Sequence, residues 1–292
     1  MKEAKAKKLT FFSKEALDCP VCSSSFYRED LLSGSGRLIA GDLTDELRRI
    51  YQPSKKFGAV FPLVYPVLVC PVCYYAAYQK DFLAQSAEAE TMENLRDQKE
   101  ERLTNTGLIF DSLDFTEPRR LEEGAASYFL ALACYDHSLK NYSPSIKRAM
   151  SAIRGAWLFD ELHRNKPSEN YDYLKKLFYR KARFYYHLAL DREQTGEESM
   201  SAVAHLGPDL DKNYAYEGVL YITGLMEYKY GPQKDVEKRV GHLDNARKIV
   251  ARVHGMGRAS KSKPSAMLDK AKDLYKTMSN EVKKSQEEET GQ

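Results

Sequence analysis

Four of the chain's five cysteines stand in two identical motifs, Cys19-Pro20-Val21-Cys22 and Cys70-Pro71-Val72-Cys73. A CxxC turn aims two thiolates at one ion, and two such turns supply the four sulfurs of a tetrahedral zinc site at about 2.3 Å each. Each proline fixes the first turn of its motif, and coordination deprotonates the thiols. No histidine precedes His137, so this part of the chain offers no competing nitrogen ligand. The expectation is one structural Zn2+ held by Cys19, Cys22, Cys70 and Cys73. Four thiolates close the site and leave no position for a catalytic water.

These cysteines have two rival uses. Disulfides belong to oxidising compartments. Met1–Thr10 carries Lys2, Lys5, Lys7 and Lys8 without the apolar run of a secretion signal, so a reducing, cytoplasmic setting is expected. A thioredoxin-like redox motif has some support at the second pair, with strand-like Val67–Val69 before it and a potential helix over Tyr74–Gln85 after it. Such a motif works singly, with one activated thiol, whereas two identical motifs argue for one shared ion. Cys134 lies in the apolar helical stretch Leu130–Tyr135 and reads as a small buried hydrophobe.

Little else in the chain points to chemistry. No phosphate-binding glycine loop occurs, and Ser33-Gly34-Ser35-Gly36 reads as a turn. His137, His163, His187, His205, His242 and His254 are scattered. No catalytic or cofactor-binding residue can be nominated from spacing. Residues 234–263 hold nine Lys/Arg against three Asp/Glu; the segment reads as a solvated helix face plus a loop, with a nucleic-acid contact as the alternative. The whole chain is nearly neutral, with 45 basic and 42 acidic residues, which excludes a polybasic nucleic-acid binder overall. Residues 57–79 are free of charge, but Pro62, Pro66 and Pro71 within them exclude a membrane helix.

The elements that must position the cysteines follow from composition. At 292 residues with 42% hydrophobic and 30% charged, the chain has the length of about two domains. Residues 1–82 hold the cysteine pairs and short strand-like runs, with a 47-residue insertion between Cys22 and Cys70. Residues 83–121 form an acidic linker region containing one polar helix, Ser86–Leu103. Residues 122–282 show apolar periods near 3.6 in six successive helices: Gly124–Asn141, Ser145–His163, Asn170–Glu193, Asn213–Tyr230, Val236–Val253 and Ser265–Val282. Small residues such as Ala131, Ala133, Gly155, Ala156, Gly218 and Gly224 suit close helix packing. Three hairpins of helices suggest a tetratricopeptide-like array, although the signature of that repeat is not intact. Residues 283–292 form a polar tail. The fold class is therefore α+β: a small zinc-ribbon-like module followed by an all-α array of about six helices, expected to fold without the module.

The first motif with Phe26, the run Gly36–Ala40 with Asp42 and Asp45, and Tyr65–Cys73 followed by Ala76, Ala77, Asp81 and Phe82 together resemble a bacterial family known as domain of unknown function 2225. The resemblance spans roughly Asp18 to Leu274, with its specific motifs in the N-terminal part. It implies a zinc-ribbon-like N-terminus followed by tetratricopeptide-like helices, and no activity. Family members tend to carry Gly after each CPxC, a residue that accommodates φ > 0; Ser23 and Tyr74 stand there instead. The functional expectation is a cytoplasmic, non-enzymatic scaffold whose array binds a protein or peptide partner, some of its 20 Tyr and 12 Phe lining the surface. Nucleic-acid binding through the ribbon and residues 234–263 stands second, and a CxxC redox enzyme third.

Overall fold

The computed structural model describes residues 8–255 and 265–290. Three antiparallel hairpins come first: β1 (Thr10–Asp18) with β2 (Ser25–Leu31), β3 (Ile39–Leu43) with β4 (Arg49–Gln52), and β5 (Val67–Val69) with β6 (Ala76–Tyr78). An isolated two-stranded sheet is marginal in water, so each hairpin needs cover from elsewhere. The cover is helical: α1 (Gln79–Ala84), α2 (Ala89–Asp97), α3 (Lys99–Gly107), α4 (Leu121–Cys134), α5 (Pro144–Asn165), α6 (Tyr171–Thr195), α7 (Ala215–Tyr230), α8 (Val236–Gly255) and α9 (Ser265–Thr290). None of the described helices is long and apolar enough to cross a membrane.

The six expected helices are α4 to α9, each packed on the next, with α7 also meeting α9. Two of the small residues allow the close approach. A Cβ at Gly155 on α5 would lie 2.6 Å from the Phe178 ring of α6, and one at Gly224 on α7 would lie 2.2 Å from Val250 of α8. Ala133, by contrast, faces out. The structure differs from the sequence reading at three places. Residues 83–121 carry α2 and α3 rather than one helix; α2 buries Thr91, Met92 and Leu95, and α3 buries Arg102 and Thr106, a face too sparse in apolar side chains to show a period. Tyr74–Gln85 contains β6 before its helix. The polar tail is helical, since α9 continues through Thr290 with a Lys284–Glu288 pair one turn apart; 291–292 lie outside the described residues.

The hydrophobic core runs from Cys19 to Val282 without interruption at 82 or 121. Strand β6 lies directly on α4, where the Tyr78 N–H donates to the Tyr135 hydroxyl at 3.0 Å. The β3–β4 hairpin goes further and inserts its tip among the helices. Glu46 accepts from Trp157 Nε1 of α5 at 2.5 Å and from the Tyr179 hydroxyl of α6 at 2.8 Å, and pairs with Lys229 of α7 at 3.1 Å. Leu47 beside it is fully buried. Arg48 pairs with Glu161 at 2.8 Å and lies over the Trp157 ring, and the Tyr221 hydroxyl donates to Asp45 O. The 47-residue insertion between the cysteine pairs is thus a second link, beside β6, between the N-terminal hairpins and the helical array.

Within the array, Glu227 of α7 is buried against Arg183 Nε and His187 Nε2 of α6, both at 2.8 Å, and His242 Nδ1 of α8 at 3.1 Å. Burial alone would raise this carboxyl; His187 and Arg183 outweigh it and hold it down at about 2, from an ordinary 4.5. A depressed carboxyl stabilises the fold fully above its unfolded value and ceases to as pH falls through its folded value. The acid-side loss attributable to Glu227 is therefore roughly 3 kcal/mol between pH of about 4.5 and about 2. Denaturant unfolding at stepped pH should show that loss in the native chain and a flatter profile in Glu227→Gln. Equal steepness in the two would place the acid sensitivity elsewhere.

Candidate metal centre

Both CPVC motifs are the turns of hairpins, built on one plan. Strand pairing ends at Asp18–Ser25 in the first and Val69–Ala76 in the second. In the first turn Cys19 N–H donates to Ser24 O at 2.9 Å and Ser23 N–H to Cys19 O at 2.8 Å; in the second, Cys70 N–H donates to Tyr75 O at 2.9 Å and Tyr74 N–H to Cys70 O at 3.0 Å. The residue after each motif has a left-handed backbone, φ 60° at Ser23 and φ 55° at Tyr74. This is the conformation that a glycine adopts without cost. Tyr74 retains the position with its ring edge-on to Phe115, centroids 5.4 Å apart.

The two turns face each other. Cys19 Sγ lies 3.6 Å from Cys73 Sγ, and Cys22 Sγ lies 3.6 Å from Cys70 Sγ. All four sulfurs fall within 4.8 Å of one another. Four sulfurs about 2.3 Å from a tetrahedral centre stand about 3.8 Å apart, so the cluster is compatible with a metal ion such as zinc. Both 3.6 Å contacts join one motif to the other, as expected of a shared ion, and all five cysteines are free thiols. Three of the four are fully buried, with Cys22 half-buried.

Charge argues in the same direction. Contacts from Cys19 and Cys73, with Ser24 adding to them, hold Cys70 far below the ordinary thiol range. Its thiolate in turn pushes Cys19 up to about 12, and Cys73 is raised further by the same two neighbours. At these separations, thiolates need a cation among them to ionise together. The Ser24 hydroxyl spans the motifs, 3.0 Å from Cys22 Sγ and 3.2 Å from Cys70 Sγ.

Sequence reading locates the four sulfurs and misses what holds them. Arg96 of α2 donates to Val21 O at 3.2 Å, and Arg102 of α3 donates through Nε and Nη2 to Cys73 O at 3.2 and 3.1 Å. Each arginine is fastened to the main chain of one motif. In the sequence they are basic residues in an acidic stretch, a pattern that any solvated helix face shows equally well. Cys134 is not in the cluster: it is buried in the core between α4 and β6, where its Sγ accepts the Ala76 N–H at 3.4 Å, and burial pushes its thiol up to about 11.

Ser33–Gly36 is an exposed turn. Of the scattered histidines, His187 and His242 meet at Glu227. In the basic segment, Lys238 pairs with Asp235 at 3.1 Å, Arg239 with Glu281 at 2.8 Å and Arg247 with Asp244 at 2.8 Å. Residues 256–263 of that segment lie outside the described residues.

A family model described as "Uncharacterized protein conserved in bacteria", domain of unknown function 2225, matches residues 12–278. An uncharacterized protein of Borreliella burgdorferi is 44% identical over 277 residues, which covers 95% of this chain and 99% of that relative. No solved structure matches. The paired motifs and the helical region both fall inside the matched span, and the chain belongs to this bacterial family.

Proposed function

We propose that the protein is a non-enzymatic scaffold. One structural Zn2+ on Cys19, Cys22, Cys70 and Cys73 fixes the two cysteine hairpins in a zinc-ribbon-like module, and the tetratricopeptide-like array presents a surface to a protein partner. A four-thiolate site is closed to substrate, and unoxidised thiols suit the cytoplasm. The partner surface is not the one that repeat arrays ordinarily use, because the β3–β4 tip already fills the space between α5, α6 and α7.

The observation that carries the reading is on the outer face of α6. Tyr173 and Phe184 are 63% and 59% exposed and, eleven residues apart, share one face of the helix. Arg180 stands exposed between them, and Lys176 beside it pairs with Asp172 at 3.1 Å. Large exposed rings interleaved with cations are what an acidic, aromatic-tolerant segment of a partner would engage. The redox reading has no corresponding support.

Co-purification from the native host tests this. The full chain should retain a protein partner that the double variant Tyr173→Ala, Phe184→Ala loses, with metal content unchanged. Each anchor should contribute about 2 kcal/mol or more to binding. Retention of every partner by the double variant removes the α6 surface from consideration. Recovery of a nucleic acid, bound with a steep salt dependence and lost on nuclease treatment, replaces the scaffold with the nucleic-acid reading.

A further inference from the structure

Arg102 is 3% exposed, and among the described residues it enters no ion pair. Its Nε and Nη2 are satisfied by a neutral carbonyl, Cys73 O, at 3.2 and 3.1 Å, while Nη1 is buried with no hydrogen-bond partner. Other buried arginines fare differently. Arg48 meets Glu161 and Arg239 meets Glu281, and Arg154 has all three nitrogens bonded, to Pro208 O, Gly207 O and the Tyr78 hydroxyl. A guanidinium stays charged at any ordinary pH, and a buried charge without a counter-charge is among the costliest arrangements in a protein. The acidic neighbours of Arg102 on α3, Glu100 and Glu101, are exposed. It is bonded to the backbone of the second cysteine turn, and its charge also reaches the buried Cys134 thiol.

A divalent ion on four thiolates carries a net charge of −2. We infer that Arg102 is the counter-ion of that centre, and that it selects the fully ionised, metal-loaded state of the four cysteines. The inference rests on the metal-site reading and adds a positioning residue to it. In the loaded state Arg102, fastened to the main chain of a ligand residue, offsets part of the excess negative charge from a dry position, where such an interaction is screened least. Without the ion the four sulfurs cannot all carry charge at these separations, and the burial of Arg102 is poorly compensated. Arg96 makes the equivalent carbonyl contact to the first motif from an exposed position, so its charge is solvated and should matter little.

The two states therefore respond oppositely to loss of the charge, which a purely mechanical tie between α3 and the knuckle would not produce. The test uses the full chain and Zn2+, competed against a chromophoric chelator, alongside urea unfolding of the metal-free form. Arg102→Gln should weaken zinc binding about tenfold to a hundredfold, the usual range for groups that support metal ligands, while the metal-free protein unfolds at the same urea concentration as the native sequence or a higher one. Arg102→Lys, which keeps the charge but not the two-nitrogen contact to Cys73 O, should lose clearly less affinity than Arg102→Gln, and Arg96→Gln should stay within about threefold of the native chain. If Arg102→Gln destabilises the metal-free and zinc-loaded forms equally with affinity unchanged, the residue is a tie and the inference is wrong. If Arg102→Gln does not fold, the lysine variant decides: a loss of affinity as large as a hundredfold with charge retained also overturns it. A native chain that takes up no Zn2+ instead refutes the metal-site reading beneath both.

Discussion

The native chain should contain about one zinc per molecule, and any one of Cys19→Ser, Cys22→Ser, Cys70→Ser or Cys73→Ser should reduce that to a small fraction. The reason is geometric. The β1–β2 and β5–β6 hairpins are short, their turns are bonded internally, and the ion proposed between them would hold the two tips at their 3.6 Å sulfur contacts against thiolate repulsion. A structural zinc commonly contributes on the order of 10 kcal/mol to the unit it organises. Much of that should be lost with a single ligand. The loss should not stop at residue 82, because Val67–Val69 and Ala76–Ala77 are part of the core that α4 and α5 also line. Far-ultraviolet circular dichroism on heating should thus show the helices of the serine variants melting earlier along with the hairpins. Cys134→Ser is the internal control: its sulfur touches the Ala76 N–H and no other cysteine, so metal should stay bound. Zinc near zero in native protein prepared under reducing, chelator-free conditions would sink the assignment, and equal zinc in the four serine variants would do the same.

Which parts of this were visible in the sequence follows from how local each signal is. The cysteine spacing is local, since a two-residue gap fixes where two sulfurs point, and the four sulfurs that it singles out do come together. The helices α4 to α9 are local in the same sense, each carrying its own apolar period. The roles of α2 and α3 are not local. Their few buried side chains answer to distant partners, Thr91 to His137 O and Arg102 to Cys73 O, so their composition reads as a solvated linker. The β3–β4 tip is the extreme case. Thr44-Asp45-Glu46-Leu47-Arg48 has the composition of a surface turn, yet Leu47 takes φ 58° and lies fully buried among helices that begin a hundred residues later. Long-range burial of a polar turn leaves no periodicity to detect, and the reading of the array as an independent unit missed it for that reason.

Glu46→Ala should cost about 3–5 kcal/mol, the penalty for leaving the rest of a buried charged network unpaired. Removing the carboxylate strands Trp157 Nε1, the Tyr179 hydroxyl and the Lys229 ammonium together, three donors on three different helices. Glu46→Gln should cost less, about 1–2 kcal/mol, because an amide oxygen keeps one acceptor while the charge opposite Lys229 is lost. The two variants separate the hydrogen bonds from the charge. Trp157 is the sole tryptophan and is fully buried under the tip, so its emission reports directly whether the hairpin stays seated. In Glu46→Gln it should remain blue-shifted until global unfolding. In Glu46→Ala the tip has lost every polar contact of its central residue, and a red shift at denaturant concentrations below the helical transition is expected, the hairpin leaving before the array melts. A Glu46→Ala protein with native emission and a native unfolding midpoint would show that Leu47 and the backbone of the turn suffice, and that the carboxylate merely fills a place the helices already provide.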